Sequence, residues 1–357
     1  MECTIIPRIL RISDTKHLFD IPDERKKHKG SIPRLAGITF LPILMLTFLP
    51  LSAIQSARLE NVHIAYTYES VFRLLFVITG ALPLLLIGFK DDLIGVKVSH
   101  KFVFQILAAI LLVCSGTYIN NLYGVFGINE LSAFIGIPLT ILIIVYIINS
   151  FNLIDGVDGL AGTLALVESI IIGILLILEK SSYAILAFAL CGMLVSFLHY
   201  NFSTKQKIFM GDTGALTLGY FLSFFCIFYT MKISPVPQGK HSIIIIWSAL
   251  FIPLFDTIRV MYIRFRQRKP LFSPDRNHIH HKLIDLGFSH KQVTFIITGY
   301  TLLFVVINII LHKFYNNNII IIINIIAFLL FNGILNNKKN KKRAMIGKEN
   351  ELSDKEN

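Results

Sequence analysis

Long apolar runs alternate with short polar ones along almost the whole chain. A helix that crosses a bilayer needs roughly 17–25 mostly apolar residues. Ten stretches meet that requirement, with cores at Leu35–Ile54, Val71–Phe89, Phe102–Ile119, Leu131–Ile148, Leu160–Leu178, Tyr183–His199, Thr213–Thr230, Ile243–Val260, Val293–Leu311 and Ile319–Leu335. The pattern predicts an all-α polytopic integral membrane protein. Residues 1–34 read as an N-terminal arm, 35–335 as the transmembrane domain and 336–357 as a basic, polar tail. The first thirty residues are charged and lack a clear apolar core, so no cleavable signal sequence is expected.

Composition agrees. Of 357 residues, 54% are hydrophobic and 16% charged, too apolar for an ordinary soluble domain. Cys3, Cys114, Cys191 and Cys226 show neither metal spacing nor a disulfide framework. The net charge of +12 is explained by topology. Ten spans put the arm, the loops at 90–101, 149–159, 201–212 and 261–292, and the tail on one side. That side carries most of the 34 Lys and Arg, against about five on the other, which marks it as cytoplasmic. The basic excess therefore needs no nucleic acid. The tail run Lys338–Arg343 suits an anionic lipid surface.

The unusual polar residues also fall on that side. Asn149–Gly162 packs Asn149, Asn152, Asp155 and Asp158 among glycines between two apolar segments. It reads either as a turn that caps helices, with Asp155 or Asp158 as N-cap, or as a site for a divalent cation carrying a phosphate. Four further clusters accompany it: Asp20 to His28 with Arg34, then Asp91–Asp92 with Lys101, then Phe209 to Gly214 around Asp212, and finally Arg276 to His281. Singly, each has a plain reading as a helix end, a cap, an interfacial side chain or, for the histidines, a zinc site. Together they suit phosphoryl transfer. Mg²⁺ uses one or two carboxylates plus substrate phosphates, and Lys101, Arg276 and the histidines can spread the developing charge. Glu168 is the main midspan charge, the feature a transporter would multiply.

In order along the chain these clusters read DxPxxRxxH…PR, DD followed by Lys, NxxNxxDGxDGLAG, FMGDTG and HxHH. The chain resembles the polyprenyl-phosphate N-acetylhexosamine-1-phosphate transferases, and the resemblance covers Asp20 to about His281. It implies transfer of a sugar 1-phosphate, most often GlcNAc-1-phosphate, from a UDP-N-acetylhexosamine to undecaprenyl phosphate. Mg²⁺ is required, with Mn²⁺ as a substitute, and UMP is released. It implies an inner (cytoplasmic) membrane location in a bacterium, contact with membrane lipids, and admits a homodimer. By the same resemblance Asp212 and Asn152 are the metal ligands. Asp91, Asp92, Asp155, Asp158, Lys101 and His280 are catalytic. Phe209, Arg276, His278, His281, Asn149, Arg25, His28 and Arg34 bind substrate.

The arm and the split HIHH resemble the branch that starts O-antigen, teichoic acid or exopolysaccharide chains. Phospho-MurNAc-pentapeptide transfer is the alternative within the family, and transport is the alternative outside it. The chain also departs from the pattern. A short, weakly apolar stretch stands before Arg11 where the family usually has a span. Ala36 stands where glycine is usual, Ser203–Gln206 replaces Pro-Ala, and Ala215 replaces Ser.

Overall fold

The computed structural model describes residues 2–16, 18, 32–58, 68–232, 243–271 and 277–356. Helices dominate them: α1 (Glu2–Lys16), a short 3₁₀ turn (Ala36–Thr39), α2 (Phe40–Arg58), α3 (Tyr68–Ile94), α4 (Val98–Cys114), α5 (Ala133–Ile154) and α6 (Leu160–Leu178). Then follow α7 (Ala184–Asn201), α8 (Gly211–Lys232), α9 (Ile243–Arg266), α10 (Ile279–Asp285), α11 (His290–Leu311) and α12 (Asn317–Glu356). Among the described residues, nine helices are long and apolar enough to cross a membrane, and α4 is a shorter apolar helix. These ten correspond one for one to the ten expected spans.

The bundle is organised around α8. Every residue from Thr213 to Thr230 is buried, with α3, α5 and α6 packed against it. Yet α8 is the least apolar of the nine spans. In lipid this is reasonable, because tails are as apolar as leucine and burial follows packing and hydrogen bonding instead. Tyr220 donates to the Val77 carbonyl (3.0 Å), and Cys226 donates to Glu168 Oε1 (3.3 Å). Glu168 is thus enclosed between α6 and α8, as a packed interior group rather than one of a row of charges.

Three boundaries differ from the expected ones. α4 stops at Cys114, where Ser115 and Gly116 turn the chain back on Leu112 and Val113. α5 runs on through the polar motif to Ile154, so Asn149 and Asn152 lie on a helix rather than in a loop. Asp155 caps the C-terminus of α5, and Gly159, in the left-handed region at φ 75°, precedes α6. Neither Asp155 nor Asp158 is therefore an N-cap. The expected tail is the continuation of α12 as one helix. It is held there by Lys339 on Asp285 (2.8 Å) and by Lys282 on Asn332 and Asn336. α1 docks on α7 and the 3₁₀ turn, with Tyr200 donating to the Cys3 carbonyl (3.0 Å). Buried Glu2 accepts from Thr39, and burial raises its carboxyl to about 7.

Candidate active site

The C-terminal ends of α3 and α5 meet the N-terminal ends of α4 and α8 at one end of the bundle. Close backbone approach makes this meeting possible. A Cβ on Gly88 of α3 would fall 2.5 Å from the Thr213 Cα. Gly211, at φ 67°, lies so close to Asp92 that a Cβ there would be 2.5 Å from both of its carboxylate oxygens. Only glycine fits that combination of space and φ.

Asp92 accepts from the Asp212 N–H (2.7 Å), the Thr213 N–H (3.0 Å) and Thr213 Oγ1 (2.5 Å). It therefore caps α8 from a different helix, where a negative charge also meets the helix dipole. The cap aims Asp212 at its neighbours. Lys101 Nζ contacts Asp91 at 2.6 Å and also reaches Asp212. The Asn152 amide bonds to the same Asp212 carboxylate. Asp155 completes this group. Burial, with the charges of Asp212 and Asp92 beside it, pushes its carboxyl well above the usual carboxylate range, partly offset by Arg34. Asp91, Lys101, Asn152, Asp155, Arg34 and Asp212 thus come together from four helices and the arm.

Asp158 is placed differently. It pairs with Lys207 (2.5 Å) and His290 (2.9 Å), and its carbonyl accepts from Thr294 (2.8 Å). Burial raises its carboxyl, but the hydrogen bonds from His290 and Lys207 outweigh that and hold it below the usual range. Lys207 also lies over the Phe209 ring, 5.4 Å from its centre. Phe209 is half-buried and pairs through its backbone with Pro33 of the arm and Ala36 of the 3₁₀ turn.

The histidines form a third group. His278 Nδ1 lies 2.8 Å from Asp256 of α9. His280 is buried and stacks on His278, with ring centres 5.5 Å apart. Burial and the neighbouring His281 hold His280 well below the usual histidine range. A Cβ on Gly156 would fall 3.2 Å from His280 Nε2, so that ring borders the Asp155–Asp158 loop. Asn149 turns its amide to Gln105 of α4 (2.6 Å). Arg25, His28 and Arg276 lie outside the described residues. Sequence reasoning missed Asp256, Arg259, Lys207 and His290. The first two had a signal, since an ionisable pair three residues apart inside an apolar span requires a reason.

Two cavities flank the motif. An apolar groove of about 640 Å³ between α4, α5 and α9 includes Phe102, Val145, Asn149, Leu153 and Met261. A second, of about 640 Å³, is lined by Arg11, Asp158, Lys205, Lys207 and Lys291. The stretch from Asn149 to Asp158 therefore separates an apolar groove from a basic cleft.

The chain matches the model of glycosyl transferase family 4 over residues 74–230. It is 31% identical over 296 residues to the probable undecaprenyl-phosphate N-acetylglucosaminyl 1-phosphate transferase of Bacillus subtilis (strain 168), covering 82% of this chain and 77% of that protein. The chain belongs to glycosyl transferase family 4. Two other members are the undecaprenyl-phosphate alpha-N-acetylglucosaminyl 1-phosphate transferase of Yersinia pestis, 32% identical over 82% of this chain and 76% of its own length, and the decaprenyl-phosphate N-acetylglucosaminephosphotransferase of Mycobacterium leprae (strain TN), 30% identical over 77% and 72%. The family match contains the Asp91–Lys101–Asn152–Asp212 group. The histidine loop lies beyond it, and the structure brings it back beside Gly156.

Proposed function

We propose that this family 4 protein transfers N-acetylglucosamine 1-phosphate from UDP-N-acetylglucosamine to undecaprenyl phosphate, giving the lipid diphosphate sugar and UMP. The names of its relatives support the reaction. The observation that carries the reading is the motif between an apolar groove and a basic cleft, with Asp91, Lys101 and Asp212 at its edge. A prenyl chain suits the groove and a nucleotide diphosphate suits the cleft. Nothing favours the peptidoglycan or transport alternatives.

In the reaction, an oxygen of the lipid phosphate attacks the sugar-bearing phosphorus of the donor. A new P–O bond forms, the bond to the bridging oxygen breaks, and UMP leaves with the electron pair. Asp91 positions the lipid phosphate and takes any proton it carries, which Lys101 beside it assists by charge. His278 and His280 contribute ring contacts and Lys207 a positive charge at the donor phosphates, and Phe209 stacks on the uracil.

Mg²⁺, or Mn²⁺ in its place, suits the same group. Lys101 holds a positive charge between two carboxylates, and the donors are hard oxygens. Asp212 and Asn152 would hold the ion, and when bound it would supply Lewis-acid polarisation of the donor phosphate. Among the described residues no cluster of three His, Cys, Asp or Glu side chains could bind a metal. The excess of Lys and Arg on the site's side of the spans supports a site at the cytoplasmic face of a bacterial inner membrane. Incubating the protein with undecaprenyl phosphate, a divalent ion and a panel of UDP-sugars, and identifying the lipid product by mass, tests the reading. Lipid-linked GlcNAc diphosphate with equimolar UMP supports it, and no UMP from any donor overturns it.

A further inference from the structure

α9 is an apolar span, yet Asp256, buried, and Arg259, largely covered, sit within it one turn apart. Arg259 grips Asp256 through Nε (3.2 Å) and Nη2 (2.6 Å), and the same Nη2 holds the Asn277 carbonyl (2.5 Å). Asp256 in turn faces His278 Nδ1 at 2.8 Å and accepts from the Ile279 N–H (3.2 Å). The pair therefore fastens the start of α10 by three separate contacts. Removing either partner would leave the other charge buried and uncompensated.

The arrangement also determines which atom of His278 is available. A carboxylate accepts, so Nδ1 carries the proton that faces Asp256. His278 Nε2 is then the free end of the ring and an acceptor. His278 Nε2, both nitrogens of His280 and Arg259 Nη1 are all buried with no protein partner. Interiors leave few such atoms without a use. The His280 ring borders Gly156, in the loop that carries Asp155 and Asp158.

We infer that Asp256 is a positioning residue: with Arg259 it fixes the Nδ1 proton of His278 and the seat of α10, so that the His280 ring stacked on His278 is held where its ring N–H can donate to the donor's phosphate oxygens. The inference rests on the proposed transferase reading. Asp256 and Arg259 touch no substrate and act through His278. Their effect therefore belongs in the rate of transfer and not in the affinity for the lipid acceptor.

The test uses the full-length protein, with UMP release measured for Asp256→Asn, Asp256→Glu, His278→Gln and the Asp256→Asn/His278→Gln double variant. Asp256→Asn should lower kcat by about 10–100-fold, as is usual for a residue that orients a functional histidine, with KM for undecaprenyl phosphate unchanged. Asp256→Glu should recover part of the loss. The double variant should fall no further than His278→Gln alone, since both changes disable one unit. Losses that multiply, or full kcat in Asp256→Asn, overturn the inference. Independently of turnover, the ¹⁵N spectrum of histidine-labelled protein should contain one Nδ1-protonated ring that shifts in Asp256→Asn. If no ring responds, the link is absent and the inference fails even in a variant that folds poorly. A wild-type protein that releases no UMP instead overturns the transferase reading, and the spectrum then still decides the Asp256–His278 link.

Discussion

Asp91 and Asp92 are neighbours in sequence, but the geometry gives them separate tasks, and replacing each by Asn distinguishes them. Asp92 holds the backbone N–H groups of Asp212 and Thr213, in the first turn of α8, and the Thr213 hydroxyl. Asn keeps one acceptor oxygen and turns an amide N–H toward a backbone donor. Losing a cap costs about 1 kcal/mol, losing the charge at a helix N-terminus about 0.3–1 kcal/mol, and leaving a buried donor unsatisfied about 1–3 kcal/mol. Asp92→Asn should therefore destabilise the start of α8 by about 2–5 kcal/mol. Asp91→Asn removes a partner of Lys101, which keeps its contact with Asp212. Thermal unfolding in detergent and UMP release, measured on the same preparations, provide the assay. Asp92→Asn should melt clearly below wild type and lose turnover in part, with some recovery on cooling. Asp91→Asn should melt near wild type and lose turnover almost entirely. If Asp92→Asn melts like wild type while being as inactive as Asp91→Asn, Asp92 is a reacting group and the capping argument is wrong.

Three further outcomes follow from the packing and the charges. Gly88→Ala puts a methyl group 2.5 Å from backbone that cannot yield; overpacking of this kind costs about 1–3 kcal/mol, so melting point and turnover should both fall, whereas Gly192→Ala, with open space around it, should be silent. Met261→Trp narrows the apolar groove and should raise KM for undecaprenyl phosphate without changing KM for the UDP-sugar; an equal rise in both would remove the groove from the acceptor's path. His280 is held well below the ordinary value of 6.5, so it stays neutral while an unfolded chain takes up a proton as pH drops past that value. Its contribution is nil above that pH and becomes unfavourable below it, by up to about 1.4 kcal/mol per pH unit. Melting points at about pH 7.5 and about pH 5.5 should therefore differ less in His280→Gln than in wild type, and an identical acid shift in both would place His280 in a polar environment instead.

Hydropathy was enough to find the spans, because a bilayer demands long apolar helices and little else satisfies the backbone there. It could not place their ends. The polar letters from Asn149 to Asn152 suggest a loop, yet helix α5 continues through them, since Asn152 finds Asp212 and Asn149 finds Gln105. The basic, polar tail carried no apolar pattern to mark it as helix, but contacts with α10 hold its start as part of helix α12. The residue types of the site were legible in five ordered motifs, and the structure brings Asp91, Lys101, Asn152, Asp155 and Asp212 into one group. Their division of labour was not legible. That Asp92 caps α8, that Asp158 pairs with Lys207 and His290, and that Asp256 lies behind His278 are facts of tertiary pairing across 22 to 132 residues. No local pattern in the chain encodes them.

The account depends most heavily on Asp212, the residue that α8 presents to Asp91, Lys101 and Asn152. Its most direct test is UMP release from UDP-N-acetylglucosamine, with undecaprenyl phosphate as acceptor and saturating Mg²⁺, by wild type and Asp212→Asn in matched membrane preparations. The prediction is robust release by wild type and almost none by the variant at equal membrane abundance and equal melting point. Near-normal release by Asp212→Asn under those conditions would contradict it.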